Sequence, residues 1–476
     1  MGKRKLAAAL ISVGLMLTMV LTACGGGSGG ASPVTPVPAS GASGAGSSGA
    51  SGAASSTLNA AQLVNHEIYT HLNDDALTGV TLPILNDRAS INKALPVKQK
   101  KNVVVGWSEP AMTSAWFAGI QQGAKKYAAQ YGYTLKFYVA GTFDAQQQSA
   151  DIENMLTAGI DVLVLDAVDV QACQVDIQKC IAKGVPVISM YPMPENDSVV
   201  TAITLNYYEA SYNAGYYAAQ QFTTPIESVF IPGQVGHPIS DARLCGFLGG
   251  WCYGKEVQAG TAKPYREDAM LSGYNAYLDL VKNGKVDLTK DFGLKVDGMA
   301  AGNFDDVGGQ SAAENLLTAF PNVSMIFPDN DQEGAGAIRV LDQRGLTDKI
   351  KVFTGCDGDT SALTLVKDGK LGSTGYNNPE AATEGAFRLI HMMFEENYDA
   401  NNMPAITPLY QQLLTKANYQ QVYDPSTTYG KLIPVEFKTI PQLNQEAQAN
   451  GGKAPAAPGA SGSSAVPAAG GSAASQ

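Results

Sequence analysis

The sequence predicts an α/β chain of two similar lobes, each a parallel sheet with helices on both sides. Three observations carry this expectation. Short apolar runs recur without polar alternation, as in Val162-Leu163-Val164-Leu165, which marks strands buried on both faces. Amphipathic stretches separate these runs, several of them stopped by a glycine such as Gly132, Gly159 or Gly184, as helix ends usually are. Strand and helix alternate at roughly 25 to 30 residues per unit, and the alternation restarts in the second half, so the chain builds two sheets rather than one.

The elements follow in order. Residues 103–106 read as a short buried strand, 116–131 as an amphipathic helix and 134–139 as an alternating strand. Residues 146–158 form a helix, 162–165 a strand, 170–183 a helix and 186–190 a further strand. In the second half, 294–299, 324–327, 351–354 and 371–376 read as strands, with helices over 307–320 and about 334–344. The stretch 223–266 is rich in Gly, Pro and aromatic residues and is expected to be an insertion in the second lobe.

The ends of the chain have a different composition. Leu21-Thr22-Ala23-Cys24 closes an apolar run that follows Lys3, Arg4 and Lys5. A basic start, an apolar stretch and small residues at a cut mark a secretory signal peptide, here 1–23. The apolar stretch 6–20 is shorter than the roughly 20 residues that span a bilayer, and Gly and Ser follow Cys24 rather than basic residues. The pattern resembles the lipobox of bacterial lipoproteins, in which a cysteine thiol is diacylated and becomes the first mature residue. That resemblance implies lipidation at Cys24, palmitate among the acyl chains, and an extracytoplasmic address on a membrane, periplasmic or at the cell surface.

Segments 24–56 and 449–476 are almost wholly Gly, Ala, Ser and Pro. Such chains cannot bury enough apolar surface to offset their entropy, so a disordered tether and a disordered tail are expected. Residues 57–101 form an N-terminal extension with no assigned role. What remains is roughly 390 residues, too many for one ordinary core and suited to two lobes.

The formal net charge is -11 and no basic run follows the signal, which excludes nucleic acid as an expected partner. Besides Cys24 there are Cys173, Cys180, Cys245, Cys252 and Cys356. Cys173 and Cys180 lie two helical turns apart, about 10.5 Å of rise, too far to pair. Cys245 and Cys252 bracket a Gly-rich segment where a loop closes easily, and they are candidates for a disulfide. No cysteine pair has metal-site spacing. Asp329-Asn330-Asp331 lacks the later bidentate Glu of a calcium loop, and the four histidines, His66, His71, His237 and His391, are scattered. No metal, no cofactor and no catalytic triad are expected. Asp169 is expected to cap the helix that starts near Val170, so Asp166 and Asp169 do not read as an acid–base pair.

Ligands of open parallel sheets lie at the carboxyl ends of the strands. The residues there are 107–109, 166–169, Tyr191, 329–331 and 357–359, which are polar, acidic and aromatic. Neither a dinucleotide-binding nor a phosphate-binding glycine motif is present. Carboxylates accept from hydroxyls and rings cover the apolar face of a sugar, so the cleft suits a neutral polyhydroxylated ligand.

The order of features also resembles a known family. Trp116-Phe117 stand at the first helix, Asn206-Tyr207 near a lobe crossing, and Asn303-Phe304-Asp305 ahead of a helix holding Asn315-Leu316-Leu317. Asp329-Asn330-Asp331, Gly355-Cys356-Asp357-Gly358 and Asn377 follow. From residue 102 to about 435 the chain resembles the periplasmic sugar-binding proteins of ABC transporters, of the ribose/galactose-binding type. The resemblance implies the type I fold, two Rossmann-like lobes joined by a three-crossing hinge. Residues 102–206 with 378–409 would form one lobe and 207–377 with 410–440 the other. Carried over by position, Asn330 and Asp357 would bond ligand hydroxyls, Trp116, Phe117 and Phe304 would provide ring contacts, and Tyr191, Asn206 and Asn377 would complete the site.

Two positions depart from the family pattern. Its Asp-Arg after the fourth strand is Tyr191-Pro192 here, and its arginine three residues before Gly-Phe is read as Met270, before Gly273-Tyr274, with Arg266 a turn away. Two charged contacts are thus read as lost, which points away from ribose itself. The function implied is a lipid-anchored, extracytoplasmic, monomeric solute-binding protein that delivers a sugar-like small molecule to an ABC transporter permease and is not an enzyme. The alternatives are a ligand-sensing lipoprotein feeding a membrane receptor kinase and an extracytoplasmic carbohydrate-active enzyme.

Overall fold

In the first lobe, buried valines and a tryptophan set the sheet. The computed structural model describes residues 97–169, 172–190, 199–262, 267–404 and 406–439, with 441, 442 and 445. The signal 1–23, Cys24, the tether 24–56, most of the 57–101 extension, Tyr191-Pro192, Arg266 and the 449–476 tail lie outside the described residues.

Strand β1 (Val104–Glu109) is followed by helix α1 (Ala115–Tyr131), which ends at Gly132 with φ 71°, the left-handed conformation that favours glycine. Then come β2 (Thr134–Val139), α2 (Ala145–Thr157), β3 (Val162–Leu165), α3 (Cys173–Ala182), β4 (Val187–Ser189) and β5 (Ala202–Thr204). Asp144 caps α2 by accepting from the amides of Gln146 and Gln147, and Asp169 Oδ1 accepts from the Ala172 amide just ahead of α3. Trp107 is fully buried and stacks between Phe137, at 6.2 Å, and Phe387, at 5.9 Å. One ring thus ties β1 to the neighbouring strand and to a helix much later in the chain.

The chain then leaves the first sheet. Helix α4 (Tyr207–Gln220) packs in a second lobe, which continues with β6 (Ile226–Ile231), α5 (Pro238–Ala259), α6 (Glu267–Asn283), β7 (Val286–Leu288), α7 (Thr289–Phe292) and β8 (Leu294–Met299). Helix α8 (Asp306–Ala319), β9 (Met325–Pro328), α9 (Asp331–Arg344), β10 (Lys351–Val352), α10 (Thr360–Asp368) and β11 (Ser373–Gly375) complete it. Helix α11 (Pro379–Glu395) returns to the first lobe, where Phe387 and Ile390 join its core, and β12 (Ile406–Pro408) adds to its sheet. Strand β13 (Leu413–Thr415) then crosses back to pair with β11. Chain passage between the lobes therefore occurs after β5, after β11 and after β12.

The first sheet has the order β12-β5-β4-β3-β1-β2, parallel throughout. The second has the order β10-β9-β6-β8-β7 and is parallel except at its β7 edge.

Two sequence expectations are corrected here. The stretch 223–266 is no insertion: it contains β6, the middle strand of the second sheet, and α5, the helix that follows it. Its glycines belong to a helix–helix seam. A Cβ at Gly246 would lie 2.2 Å from the carbonyl oxygen of Tyr208, and one at Gly250 would lie 1.9 Å from that of Tyr212. Only glycine lets α4 and α5 approach backbone to backbone. The second correction concerns Cys245 and Cys252. Both are free, buried thiols on α5, and seven residues of helix separate them by about 10.5 Å, beyond disulfide reach.

Candidate functional site

The carboxyl ends of both sheets face a shared cavity with about 560 Å³ of free space, part of it open to solvent at the mouth. The first lobe supplies Ser114, Trp116 and Phe117 from the start of α1, Phe143 from the turn before α2, and Asp166 from the end of β3. The second lobe supplies Tyr207, His237, Arg243, Phe304, Asn330, Asp357 and Asn377.

The aromatic walls are held by packing. Trp116 and Phe117 meet edge to face at 5.6 Å, and Phe117 meets Phe143 at 6.2 Å. Phe143 in turn lies 6.3 Å from Phe304, so rings of opposite lobes meet across the cleft. Phe304 has a φ of 58°, an uncommon value for a bulky residue. Two contacts hold it there. Its amide donates to Glu333 Oε1 at 2.9 Å, and its ring covers Gly233, where a Cβ would come within 1.9 Å of it.

The polar floor is centred on Arg243, which is 4% exposed. Its guanidinium lies 3.9 Å from Asp329 and 3.8 Å from Asp357, and 5.0 Å above the Tyr207 ring. Burial opposes the positive charge, but the neighbouring Asp329 and Asp357 carboxylates outweigh it, so Arg243 stays protonated. Asp357 also accepts from Asn377 Nδ2 at 3.1 Å. Burial raises the Asp357 pKa while Arg243 holds it down, leaving it above the usual carboxylate range. Behind this loop, Asp331 accepts from Thr354 and Thr374, both at 2.6 Å, and from the Gly358 amide at 2.7 Å. Burial and the Arg243 charge push His237 down to about 4, so its ring is neutral at physiological pH.

Among the described residues, three buried polar atoms at the cavity have no partner: Trp116 Nε1, Arg243 Nε and Asn377 Oδ1. Two donors and one acceptor, set among aromatic faces, form the chemistry that grips a small polyhydroxylated molecule.

Of the residues named from sequence, Trp116, Phe117, Phe304, Asn330, Asp357 and Asn377 line this cavity. Asn330 has its amide engaged within the protein, accepting from the Glu333 amide and donating to the Phe304 carbonyl. Asn206 is not brought to the cavity: its Oδ1 caps α4 by accepting from the Glu209 amide at 2.9 Å, and its neighbour Tyr207 faces the cleft instead. Tyr191 lies outside the described residues.

Arg243 is the residue sequence reasoning missed, and its signal was present. Arg243-Leu244-Cys245-Gly246-Phe247 places an arginine three residues before Gly-Phe. Reading the segment as an insertion moved the motif to Met270, which is buried in the second-lobe core. One charged contact thought lost is therefore present. Phe143, Asp166 and His237 also line the cleft; no spacing rule in the sequence marks Phe143 or His237.

The sequence profile of the periplasmic binding protein domain matches residues 105–397. The chain belongs to this family. This periplasmic binding protein is 26% identical over 296 residues to the ribose import binding protein of Bacillus subtilis (strain 168), covering 61% of the chain and 83% of that protein. Among solved structures it is similar to an ABC transporter solute-binding protein from Mycobacterium smegmatis with bound glycerol, at a TM-score of 0.54 and 18% identity, covering 69% of this chain and 99% of the other. It is also similar to the binding protein of the arabinose ABC transporter from Shewanella sp. ANA-3 bound to arabinofuranose, at a TM-score of 0.54 and 17% identity, covering 67% and 95%. The periplasmic binding protein has the type I fold and is a binding protein rather than an enzyme. Among its described residues, no helix is long and apolar enough to cross a membrane.

Proposed function

We propose that this periplasmic binding protein captures a sugar-like small molecule between its lobes and delivers it to an ABC transporter permease while held to a membrane by lipid on Cys24. The observation that carries the reading is the cavity itself, walled by rings of both lobes and floored by the Arg243, Asp357 and Asn377 group. Contacts from both lobes favour the closed state when a solute binds. The ribose import binding protein among its relatives supports a compact polyhydroxylated solute.

The test is ligand-dependent thermal stabilisation of the purified protein with D-ribose, D-allose, L-arabinose and myo-inositol. A rise in Tm that grows with the logarithm of solute concentration is expected for at least one. No shift with any of them overturns the sugar reading. For the anchor, metabolic labelling with a palmitate analogue marks the wild-type chain and not Cys24→Ala; labelling of both removes the anchor from the proposal. The tether 24–56 would then keep the binder close to its permease and raise the local concentration of loaded protein.

A further inference from the structure

Strands β1 and β3 pair in parallel with Ser108 opposite Leu165. The next residue on each is a carboxylic acid, Glu109 and Asp166, and the two carboxyls are in hydrogen-bond contact. Glu109 is fully buried, and Asp166, 7% exposed, shows its open edge to the cavity. Trp107 Nε1 donates to Glu109 Oε1 at 2.6 Å, while Glu109 Oε2 has no donor among the described residues.

Among the described residues, no cation pairs with either carboxyl. From α2, the Gln148 amide donates to the Asp166 carbonyl and the Ser108 hydroxyl. From α4 comes the Tyr207 phenol, which burial keeps neutral, and from the loop before α3 comes Asp169, which faces its own helix. Helix α5 adds the neutral His237 and Arg243, whose ion pairs go to Asp329 and Asp357. Two buried carboxyls in contact cannot both be charged without a counter-ion, so a proton stays between them. Consistent with this, burial pushes Asp166 up to about 7 and raises Glu109 well above the carboxylate range.

We propose that Asp166, itself protonated and accepting from Glu109, donates to the solute, making it a specificity-determining donor that selects a ring or hydroxyl oxygen at that wall and weakens capture as Asp166 ionises. The inference rests on the sugar reading above. A seated solute excludes solvent from the open edge of Asp166, so a negative charge there is less tolerable in the loaded cleft than in the open one. The loaded state therefore keeps the proton, and alkaline pH works against it. No bond to the solute forms or breaks.

The experiment is calorimetric titration with the same four solutes between about pH 5.5 and 9, in two buffers of different ionisation enthalpy. Wild type should bind with constant affinity below neutrality and lose up to about tenfold per pH unit above it, with proton uptake on binding. Asp166→Asn, which keeps a donor in place, should give a flat profile. Glu109→Gln, which removes the partner carboxyl, should shift the loss to lower pH. A flat wild-type profile, or an Asp166→Asn profile that still slopes, overturns the proposal and leaves sugar capture standing. Infrared difference spectra of the solute-free protein form a second arm. Above the background of buried Asp331 and Glu333, an additional protonated-carboxyl component is expected in wild type that the double variant Asp166→Asn with Glu109→Gln lacks. Its absence overturns the shared proton even if none of the four solutes binds, an outcome that separately overturns the sugar reading.

Discussion

Arg243 Nη2 lies 3.8 Å from Asp357 Oδ1 beneath the cleft, with both side chains almost entirely out of solvent. Under the proposed function the pair would meet the solute, and it is also a structural commitment, because each charge is tolerable only beside the other. Arg243→Met leaves Asp329 and Asp357 without their cation and should lower the free energy of unfolding by about 3–5 kcal/mol. Asp357→Asn leaves Arg243 with Asp329 and should lose less. Urea unfolding of both variants measures the difference, and both should lose solute-dependent stabilisation.

Trp116 separates two contributions of one side chain. Its ring is a wall and its Nε1 is a buried donor without a partner among the described residues. Trp116→Phe keeps much of the wall and removes the donor, and should weaken binding of the best sugar by about 0.5–1.5 kcal/mol, the worth of one hydrogen bond. Trp116→Ala should weaken it further. Equal affinity of wild type and Trp116→Phe in calorimetry would mean that the solute does not meet Nε1.

The seam between α4 and α5 predicts a stability effect far from the cleft. Gly250→Ala sets a methyl 1.9 Å from the Tyr212 carbonyl oxygen. Neither backbone can yield without disturbing the lobe, so a loss of about 1–3 kcal/mol or more is expected in urea or thermal unfolding.

The carboxyl pair also writes a pH dependence into stability. Burial pushes Asp166 up to about 7 in the folded protein, above the usual carboxylate range. A raised acid pKa stabilises fully at low pH, and the contribution is lost as pH rises from about 4 through 7. Asp166→Asn removes that loss. Its stability relative to wild type should therefore improve steadily across this window, by an amount on the order of a few kcal/mol. A constant offset between the two would contradict the assignment.

Much of the fold was legible because its signals are local. The run 162–165 is apolar throughout since helices cover both faces of β3, and Gly132 and Gly345 stop helices where a positive φ is required. The stretch 223–266 misled because glycine has two uses. In a loop it gives freedom, and in α5 it gives close approach, which shows only once Tyr208 and Tyr212 are in place against it. That error hid Arg243 and made a helical cysteine pair resemble a loop closure. Of the candidate site, residues at strand ends could be read by rule, as with Asp357. Phe143 could not, since its place depends on a turn conformation that no spacing encodes. The Glu109–Asp166 contact needed the β1–β3 register, which is a property of two segments and not of either alone.

Phe143 and Phe304 meet from opposite lobes, and that contact has a kinetic meaning. Under the proposed function, a solute seated behind these rings would leave when the lobes separate, however weakly it is gripped. Residence time is then governed by a mechanical opening rate shared by every cargo, and different sugars would depart on similar clocks even where their affinities differ.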